Sequence, residues 1–538
     1  MDVDPLIVDA LAAGRGRRIA TRDAIGAGPR AVAGVLEKRG LRPRIATAEA
    51  ALGGRMRLED YDLLLVSGMT ADLTAVRRVV AKWRAHASGP AVVGGPLSSD
   101  PRDALVRARG DLAVLGEGEE TLGELLDLGL DRGLMPRPED LEHVLGVAYV
   151  EDGHVHLSGL RPVMKREAYD RQRPSTRAVG DYPLHYAARV YVEVLRGCSN
   201  YIRARGILPE GACKGCGRCR SGALEERYDC PLGVPPGCGY CSVPSLYGPP
   251  KSRSVEGVFS EVQDLIAEGV RRIVLSAPGI LDYGRDLLVE PEPLTNPRQP
   301  EPNYGALEEL LSRVAEVEGV QKGCVSVMAE NVKAALVTER AAELLGRYLP
   351  GTPINVGFET GSREHGLLLG RPSTPEEDLR AVRMLKRAGL QPYVYFIHGL
   401  PGQTAETASE TVKAIDGSVE AGAERIILYR FQPLPMSAFR DMPAAPPASR
   451  DGLSGRIAEA AVRANKALKD RLVGRSLRVV IAEPYERDRR LHVAYPLGHG
   501  PVVLVEGADG LAGEVVEVAI SGVVSERVVR GRLRDAMF

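Results

Sequence analysis

The sequence predicts an α/β chain in three parts: a Rossmann-like N-terminal domain, a partial (β/α)6 barrel and a small C-terminal β-barrel. Three observations carry this. From the start to about residue 130, short apolar runs alternate with amphipathic helical runs, the pattern of a parallel sheet covered on both faces. The alternation resumes from about 191 to 440 with six strand–helix steps, enough for a partial parallel barrel. Beyond 473 it gives way to short β runs about ten residues apart with glycine turns, the pattern of a small closed sheet. At 538 residues the chain is too long for a single core.

In residues 1–130, "YDLLLVSGM" (61–69) is an apolar run of buried-strand length, and "TAVRRVVAKWRAHA" follows with helical spacing. "PAVVGGP" (90–96) is a strand ending in glycines, and "DLAVLGEGEETLGELLDLG" (111–129) reads strand, glycine turn, helix. Ligands of such sheets bind beyond the strands' carboxyl ends. Residues 131–190 read as a connector with one hairpin (145–159) around Glu151-Asp152-Gly153. Within 191–440 the strands are "RVYVEVLRGC", "RRIVLSAPGILDYG", "GCVSVMAEN", "PINVGFETGS", "QPYVYFIHGLPG" and "ERIILYRFQPLP", each but the last followed by a helical run. Residues 286–303 form a Pro-rich loop, and Cys324, mid-strand, reads as core. Residues 441–472 are a linker ("PAAPPASRDG") and an amphipathic helix, and 473–534 the small β-barrel.

A net charge of −1 argues against a chain-wide polyanion-binding surface, so any nucleic acid must meet a local patch. There is no long uncharged apolar run and no basic-then-apolar start, so the expectation is a cytoplasmic protein with no membrane span. Seven of the eight cysteines fall between 198 and 241. In a reducing compartment such clustering reads as metal ligation rather than disulfides. Cys238 and Cys241 form C-x2-C, and Cys213, Cys216 and Cys219 form C-x2-C-x2-C ahead of Cys230-Pro231. Thiolates at these spacings suit iron–sulfur clusters or zinc.

"VEVLRGC" and "GCGYCSVP", with "SAPGILDYG", "NVGFETGS" and "YFIHGLPGQTAET" in order behind them, resemble the radical SAM superfamily across the whole barrel. The resemblance implies that Cys198, Cys238 and Cys241 hold a [4Fe–4S] cluster by three irons. The fourth iron is left to chelate the amino and carboxylate groups of S-adenosylmethionine (SAM). It further implies that Ser276 lies near the SAM amino group, that Glu359 and Gly361 lie near its ribose and methionine, and that Gly399, Pro401 and Gly402 pack its adenine. The usual C-x3-C-x2-C is here stretched by the insertion 199–237, and a second frame, Cys230 with Cys238 and Cys241, reads C-x7-C-x2-C. The chemistry implied is reductive cleavage of SAM to a 5′-deoxyadenosyl radical, with an electron from a ferredoxin or flavodoxin. No catalytic side chain is assigned. Cys213, Cys216, Cys219 and Cys230 resemble a ferredoxin-type motif, for a second [4Fe–4S] cluster or a zinc ion.

The N-terminal segment resembles a cobalamin-binding domain. Gly94, Gly95, Gly116 and Gly118 would let backbone approach a corrin or its nucleotide tail, or would serve as plain left-handed turns. In "DAIGAG" (23–28) Ile25 stands where that family's cobalt-ligating histidine is expected, so cobalamin binding and a domain that binds nothing both remain open. Residues 473–534 resemble the TRAM domain of tRNA and ribosomal-protein methylthiotransferases. Arg475, Arg478, Arg487, Arg489, Arg490, Arg527, Arg530 and Arg532 form either a stripe for RNA phosphates or a solvated surface. Three readings follow. One is a radical SAM enzyme that methylthiolates or methylates RNA, tRNA first among candidates. Another is a cobalamin-dependent methylase or other radical enzyme acting on a small molecule, lipid or protein. The last is a non-enzymatic, zinc-stapled RNA-binding protein. The N-terminal segment has no cysteine, unlike the methylthiotransferases, which weighs against sulfur insertion.

Overall fold

A computed structural model describes residues 3–19, 22–54, 56–209, 211–213, 216–220 and 224–534. The chain divides into two compact units: Met1–Tyr191 with Ser260–Val270, and Val192–Phe259 with Arg271–Phe538.

The first unit is built on a seven-stranded sheet in the order Arg44–Thr47, Pro5–Asp9, Leu63–Ser67, Ala91–Gly94, Leu112–Val114, Val147–Glu151, His154–Leu157. The first five strands are mutually parallel and the last two antiparallel. Parallel strands are covered on both faces, and "LLLV" of Leu63–Ser67 is buried throughout. Helix Leu73–His86 lays Ala75, Val76, Val79, Val80 and Trp83 on one stripe against the sheet, and Trp83 is fully buried. The hairpin expected inside a connector is instead the antiparallel edge of this sheet. Its turn places Asp152 and Gly153 at φ 49° and 80°, the left-handed pair that tight hairpins need.

In the second unit the barrel strands are Arg272–Ser276, Ser326–Ala329 continued by Asn331–Val332, Pro353–Glu359, Gln391–His398 and Arg425–Arg430, with Arg189–Glu193 astride the unit boundary. Each pairs in parallel with the next from Arg272–Ser276 onward. The wall divides at Glu330, whose N–H donates to Leu275 and whose carbonyl accepts from Asn355. Ile354, Val356 and Phe358 alternate with half-buried residues, the period of a strand with one face in a core. Helix Gly452–Asp470 lies along the last strand, where Asn465 accepts from the Ile426 N–H at 3.0 Å and donates to its carbonyl at 2.8 Å. The backbone groups of a sheet edge are thereby satisfied. Cys324, expected in the core, is exposed, because the chain is still turning and the strand begins only at Ser326.

Five strands, Ser476–Pro484, Leu491–Pro496, Val502–Glu506, Val528–Leu533 and Val515–Val523, close into a barrel around Val479, Ile481, Val503, Val505, Val518 and Val529. It rests on the amino ends of the parallel strands. Arg478 donates to the Gly323 carbonyl at 2.9 Å, the Tyr393 hydroxyl pairs with His499 Nδ1 at 2.9 Å, and the Arg272 guanidinium lies 5.5 Å from the Tyr495 ring centre. The opposite, carboxyl ends of the strands are left for chemistry.

Candidate metal centre and cofactor sites

Just past the first barrel strand, Gly197 turns the chain at φ 90°. A Cβ there would lie 2.2 Å from the Pro249 carbonyl oxygen, so only glycine fits. The turn delivers Cys198, whose N–H donates to the Gly248 carbonyl at 3.0 Å. Asn200, buried, then donates from Nδ2 to the Cys238 sulfur at 3.3 Å and to the Gly370 carbonyl at 3.1 Å, while its own N–H faces the Cys198 sulfur at 3.5 Å. The short turn that bonds Cys241 N–H to the Cys238 carbonyl brings in the third thiol. Burial raises the Cys238 thiol, against the opposing charge of Arg371. Burial, with Cys238 and Cys198 nearby, pushes Cys241 up to about 12. Cys230, the alternative third ligand, lines a cavity with Cys213, Cys216 and Cys219.

Glu359 ends the fourth strand in the left-handed region, φ 64°, at a register shift after Gly357. Non-glycine residues hold that conformation only where their surroundings demand it. Here its carboxylate lies 3.5 Å from Arg371, which also reaches the Tyr240 hydroxyl at 3.4 Å, Ser373 at 3.2 Å and the Gly357 carbonyl. Burial nonetheless raises the Glu359 carboxyl, and burial pushes Asp378, 3.9 Å from the same arginine, up to about 7. Arg371 thus serves two carboxyls and the Cys238 thiol at once. It carries no signal that motif reading detects.

Ser276 donates to the Glu330 carboxylate at 2.6 Å across the strand ends. Behind Cys198, Ser199 donates to both oxygens of Asp282 (3.0 and 2.9 Å), and Lys333 bonds Ser199 at 2.7 Å and pairs with Asp282, which Arg285 also holds. Burial works to raise the Asp282 carboxyl, but Lys333 and Arg285 win and hold it below its usual range. Asp282 falls inside "SAPGILDYG", whereas Lys333 and Arg285 lie outside any motif; the signal they share is buried charge, which only the fold reveals.

The GLPG turn is pinned from two sides: His365 Nε2 lies 2.9 Å from the Pro401 carbonyl, and the Gly399 N–H donates to Gln403 at 2.8 Å. Gly399 and Gly402 sit at φ 71° and 83°. Gly361 has a different reason for being glycine. A Cβ there would lie 2.3 Å from the Glu410 carbonyl oxygen, so its bareness lets helix Ala405–Glu420 press in.

Cys213, Cys216, Cys219 and Cys230 line a cavity of about 200 Å³ together with Arg203 and Arg205. Among the described residues no three His, Cys, Asp or Glu side chains gather tightly enough for a single metal ion.

In the first unit the chain runs from its first strand to one side and returns for the third on the other, so the crevice lies between Pro5–Asp9 and Leu63–Ser67. Asp72 ties the two loops there, accepting from the N–H groups of Ala12 (3.1 Å), Gly14 (2.8 Å) and Met69 (3.1 Å). Ile19 and Met69 expose apolar side chains on these loops. A Cβ on Gly94 would meet open space, whereas one on Gly95 (φ 79°) would lie 2.9 Å from the Gly68 carbonyl oxygen. Gly116 turns at φ 70°, and Gly118 opens helix Gly118–Asp127 with Val114 3.2 Å from its would-be Cβ. Ile25 is buried, in a strand paired with Arg189–Val190.

Two family models match, the radical SAM superfamily over residues 228–415 and the B12 binding domain over residues 20–126. The chain carries a radical SAM domain. Two full-length relatives of this radical SAM protein are "Uncharacterized protein MK0932" of Methanopyrus kandleri (45% identical, 99% of this chain and 96% of that one) and MJ1620 of Methanocaldococcus jannaschii (38% identical, 98% of each). A ribosomal protein uS12 methylthiotransferase, RimO of Moorella thermoacetica, is 27% identical over 53% of this chain and 61% of its own. The cobalamin- and [4Fe–4S]-bound radical SAM methyltransferase TsrM of Kitasatospora setae shares the fold, with a TM-score of 0.56 at 14% identity over 82% of this chain and 77% of that one. The radical SAM fold carries with it a [4Fe–4S] cluster, SAM and the need for a reductant, and the chain is an enzyme with a B12-binding domain. No described helix is long and apolar enough to cross a membrane.

Proposed function

We propose that this enzyme is a cobalamin-dependent radical SAM methylase acting on RNA, tRNA first among the candidates. One observation carries the cofactor half: three thiols, two of them tied by Asn200, stand at the carboxyl ends of parallel strands in a chain that also holds a B12-binding domain. Cys198, Cys238 and Cys241 would hold the cluster, and Asn200 would keep an N–H on two of the sulfurs. Arg371 and Lys333 offset the charge of three thiolates, which fits the donor set to an anionic cluster. When bound, the cluster and SAM supply a one-electron route to a carbon radical, and cobalamin supplies a carrier for a methyl group. Ser276 and Glu330 form a hydrogen-bonding pair at the strand ends suited to an ammonium group, and the Gly399–Gly402 turn offers backbone to a flat ring. In the first unit, the exposed Ile19 and Met69 and the open face of Gly94 suit a large apolar macrocycle, held without a protein imidazole.

The RNA half is supported by the small barrel, whose eight named arginines are all exposed, and by the likeness to enzymes that modify tRNA and a ribosomal protein. The barrel sits at the wrong end of the strands to touch the reacting atoms. Eight strand residues, Gln391–His398, span about 25 Å, so the substrate must be long enough to reach from one end to the other. An extended nucleic acid meets that demand and a small metabolite does not.

Two measurements test the reading. Anaerobic reconstitution with iron, sulfide and hydroxocobalamin should give one corrinoid per chain by absorption. Nucleoside mass spectrometry of tRNA and rRNA from a strain lacking the gene should show one methylated nucleoside missing. An unchanged nucleoside profile sinks the RNA half, and failure to retain corrinoid sinks the cofactor half.

A further inference from the structure

Loop 199–237 contains a buried guanidinium held by backbone carbonyls. Arg203 is 5% exposed, and its N–H groups donate to the carbonyls of Val234 (3.0 Å), Tyr201 (2.9 Å), Arg227 (2.7 Å) and Tyr228 (2.8 Å). Among the described residues no acid pairs with it. A buried cation favours an anionic neighbour. Arg203 lines the cavity of about 200 Å³ that Cys213, Cys216, Cys219 and Cys230 share, and Arg205, Arg218 and a single carboxylate, Asp229, line it too. Four thiols with three guanidiniums against one carboxylate suit an anionic thiolate-ligated centre.

The cavity wall is also the wall of the first centre. Gly370 is bare because the Ala204 N–H and the Arg203 carbonyl carbon press on it, at 2.8 and 2.9 Å from a would-be Cβ. The Gly370 carbonyl in turn faces the Cys238 sulfur at 3.8 Å and the Asn200 amide at 3.1 Å. One layer of backbone therefore separates the four-cysteine cavity from Cys238. On the outer side Cys216 is exposed, and Leu232, which lines the same cavity, exposes its apolar side chain.

We propose that Cys213, Cys216, Cys219 and Cys230 hold a second iron–sulfur cluster, closed by four thiolates, that takes one electron from a low-potential protein carrier at the exposed side and passes it to the first cluster. The transfer makes and breaks no bond: the loop cluster is reoxidised by one electron as the barrel cluster is reduced by one. The relay role rests on the proposed barrel cluster; the loop cluster itself does not.

The test uses the full chain, purified and reconstituted without oxygen. Iron and acid-labile sulfide are counted for wild type, for Cys213→Ala/Cys216→Ala and for Cys238→Ala/Cys241→Ala. Each double variant should retain half the wild-type iron and sulfide. Dithionite-reduced wild type, which needs no variant to fold, should show two paramagnetic signals broadened by mutual coupling, only one of which changes when SAM is added. A loop variant with undiminished iron and sulfide, or wild type with a single signal fully shifted by SAM, overturns the proposal, as does zinc in the loop without sulfide. A barrel variant that keeps all the iron while the loop variant loses half would instead strike the barrel assignment and leave the loop cluster standing.

Discussion

The side chain of Asn200 donates to the Cys238 sulfur at 3.3 Å and to the Gly370 carbonyl at 3.1 Å, so one amide fixes both a cluster cysteine and the turn behind it. Its backbone N–H, 3.5 Å from the Cys198 sulfur, makes the same residue a hinge pin between cysteines that stand forty positions apart in the sequence. The long insertion is tolerated because the two ends of the loop are joined again by this residue, and loop length itself costs little.

Asn200→Ala should therefore act on both folding and redox behaviour. Three side-chain hydrogen bonds are lost, to the Cys238 sulfur, to the Gly370 carbonyl and from the Ile202 N–H, a loss of about 1–3 kcal/mol in urea unfolding of the metal-free chain. N–H bonds to cluster sulfurs raise the reduction potential, so the reconstituted variant should titrate at a more negative potential. Unchanged potential with unchanged stability would remove Asn200 from the site.

Glu359 separates conformational strain from charge pairing. Replacing it by Ala or Gly removes the same partner from Arg371, but only glycine holds φ 64° freely. Glu359→Gly should be more stable than Glu359→Ala by about 1 kcal/mol, and both less stable than wild type. Thermal unfolding of the three metal-free chains in one buffer orders them; Ala at or above Gly would mean that the backbone relaxes.

The parts legible in the sequence are those written as period and punctuation. Strand–helix alternation set out the parallel sheets, the ten-residue β rhythm set out the small barrel, and the cysteine spacings set out two groups of thiols. The hairpin at 147–157 was legible as a hairpin, but not as the edge of the N-terminal sheet, because strand partners are chosen by surfaces far apart in the chain. Arg371, Lys333 and Arg203 were not legible at all, and Asp282 was legible only as a letter in "SAPGILDYG". A charged residue reads as solvent-facing until burial is known, and here burial is what gives each its role. Gly361 shows the converse: a glycine that admits a helix looks the same in sequence as one that admits a ligand.

Two glycines turn that last point into an experiment. Gly361→Ala puts a Cβ 2.3 Å from the Glu410 carbonyl oxygen and should cost about 1–3 kcal/mol. Gly94→Ala meets nothing within 4 Å and should leave stability within about 0.5 kcal/mol of wild type. If Gly94 faces the corrin, Gly94→Trp should also fold yet retain at least tenfold less corrinoid after gel filtration. Full retention by Gly94→Trp would move the macrocycle elsewhere.

His499 gives a pH signature to the seating of the small barrel. Its Nδ1 pairs with the Tyr393 hydroxyl and its Nε2 lies 3.5 Å from Glu424, yet burial depresses the imidazole from 6.5 to about 4. Glu424 would favour the charged ring, but Lys386 bonds the same carboxylate, and Lys386, Arg425 and Lys469 all oppose a further positive charge. A depressed group contributes stability that is present above its unfolded value and lost as pH falls through its folded value. Between pH 6.5 and about 4 the unfolded chain takes up a proton that the folded chain refuses, so His499 alone should cost wild type on the order of 2–3 kcal/mol across that window. Asp378, raised to about 7, has the opposite sign across the whole of that range, its folded form binding the extra proton, so the net slope of wild type does not isolate the imidazole. The informative quantity is therefore the difference between wild type and His499→Gln, from urea unfolding at pH 7.5, 5.5 and 4.5. That difference should shift in favour of the variant as pH falls, since glutamine has nothing to protonate; a difference independent of pH would mean that the imidazole is charged, or solvated, where it sits.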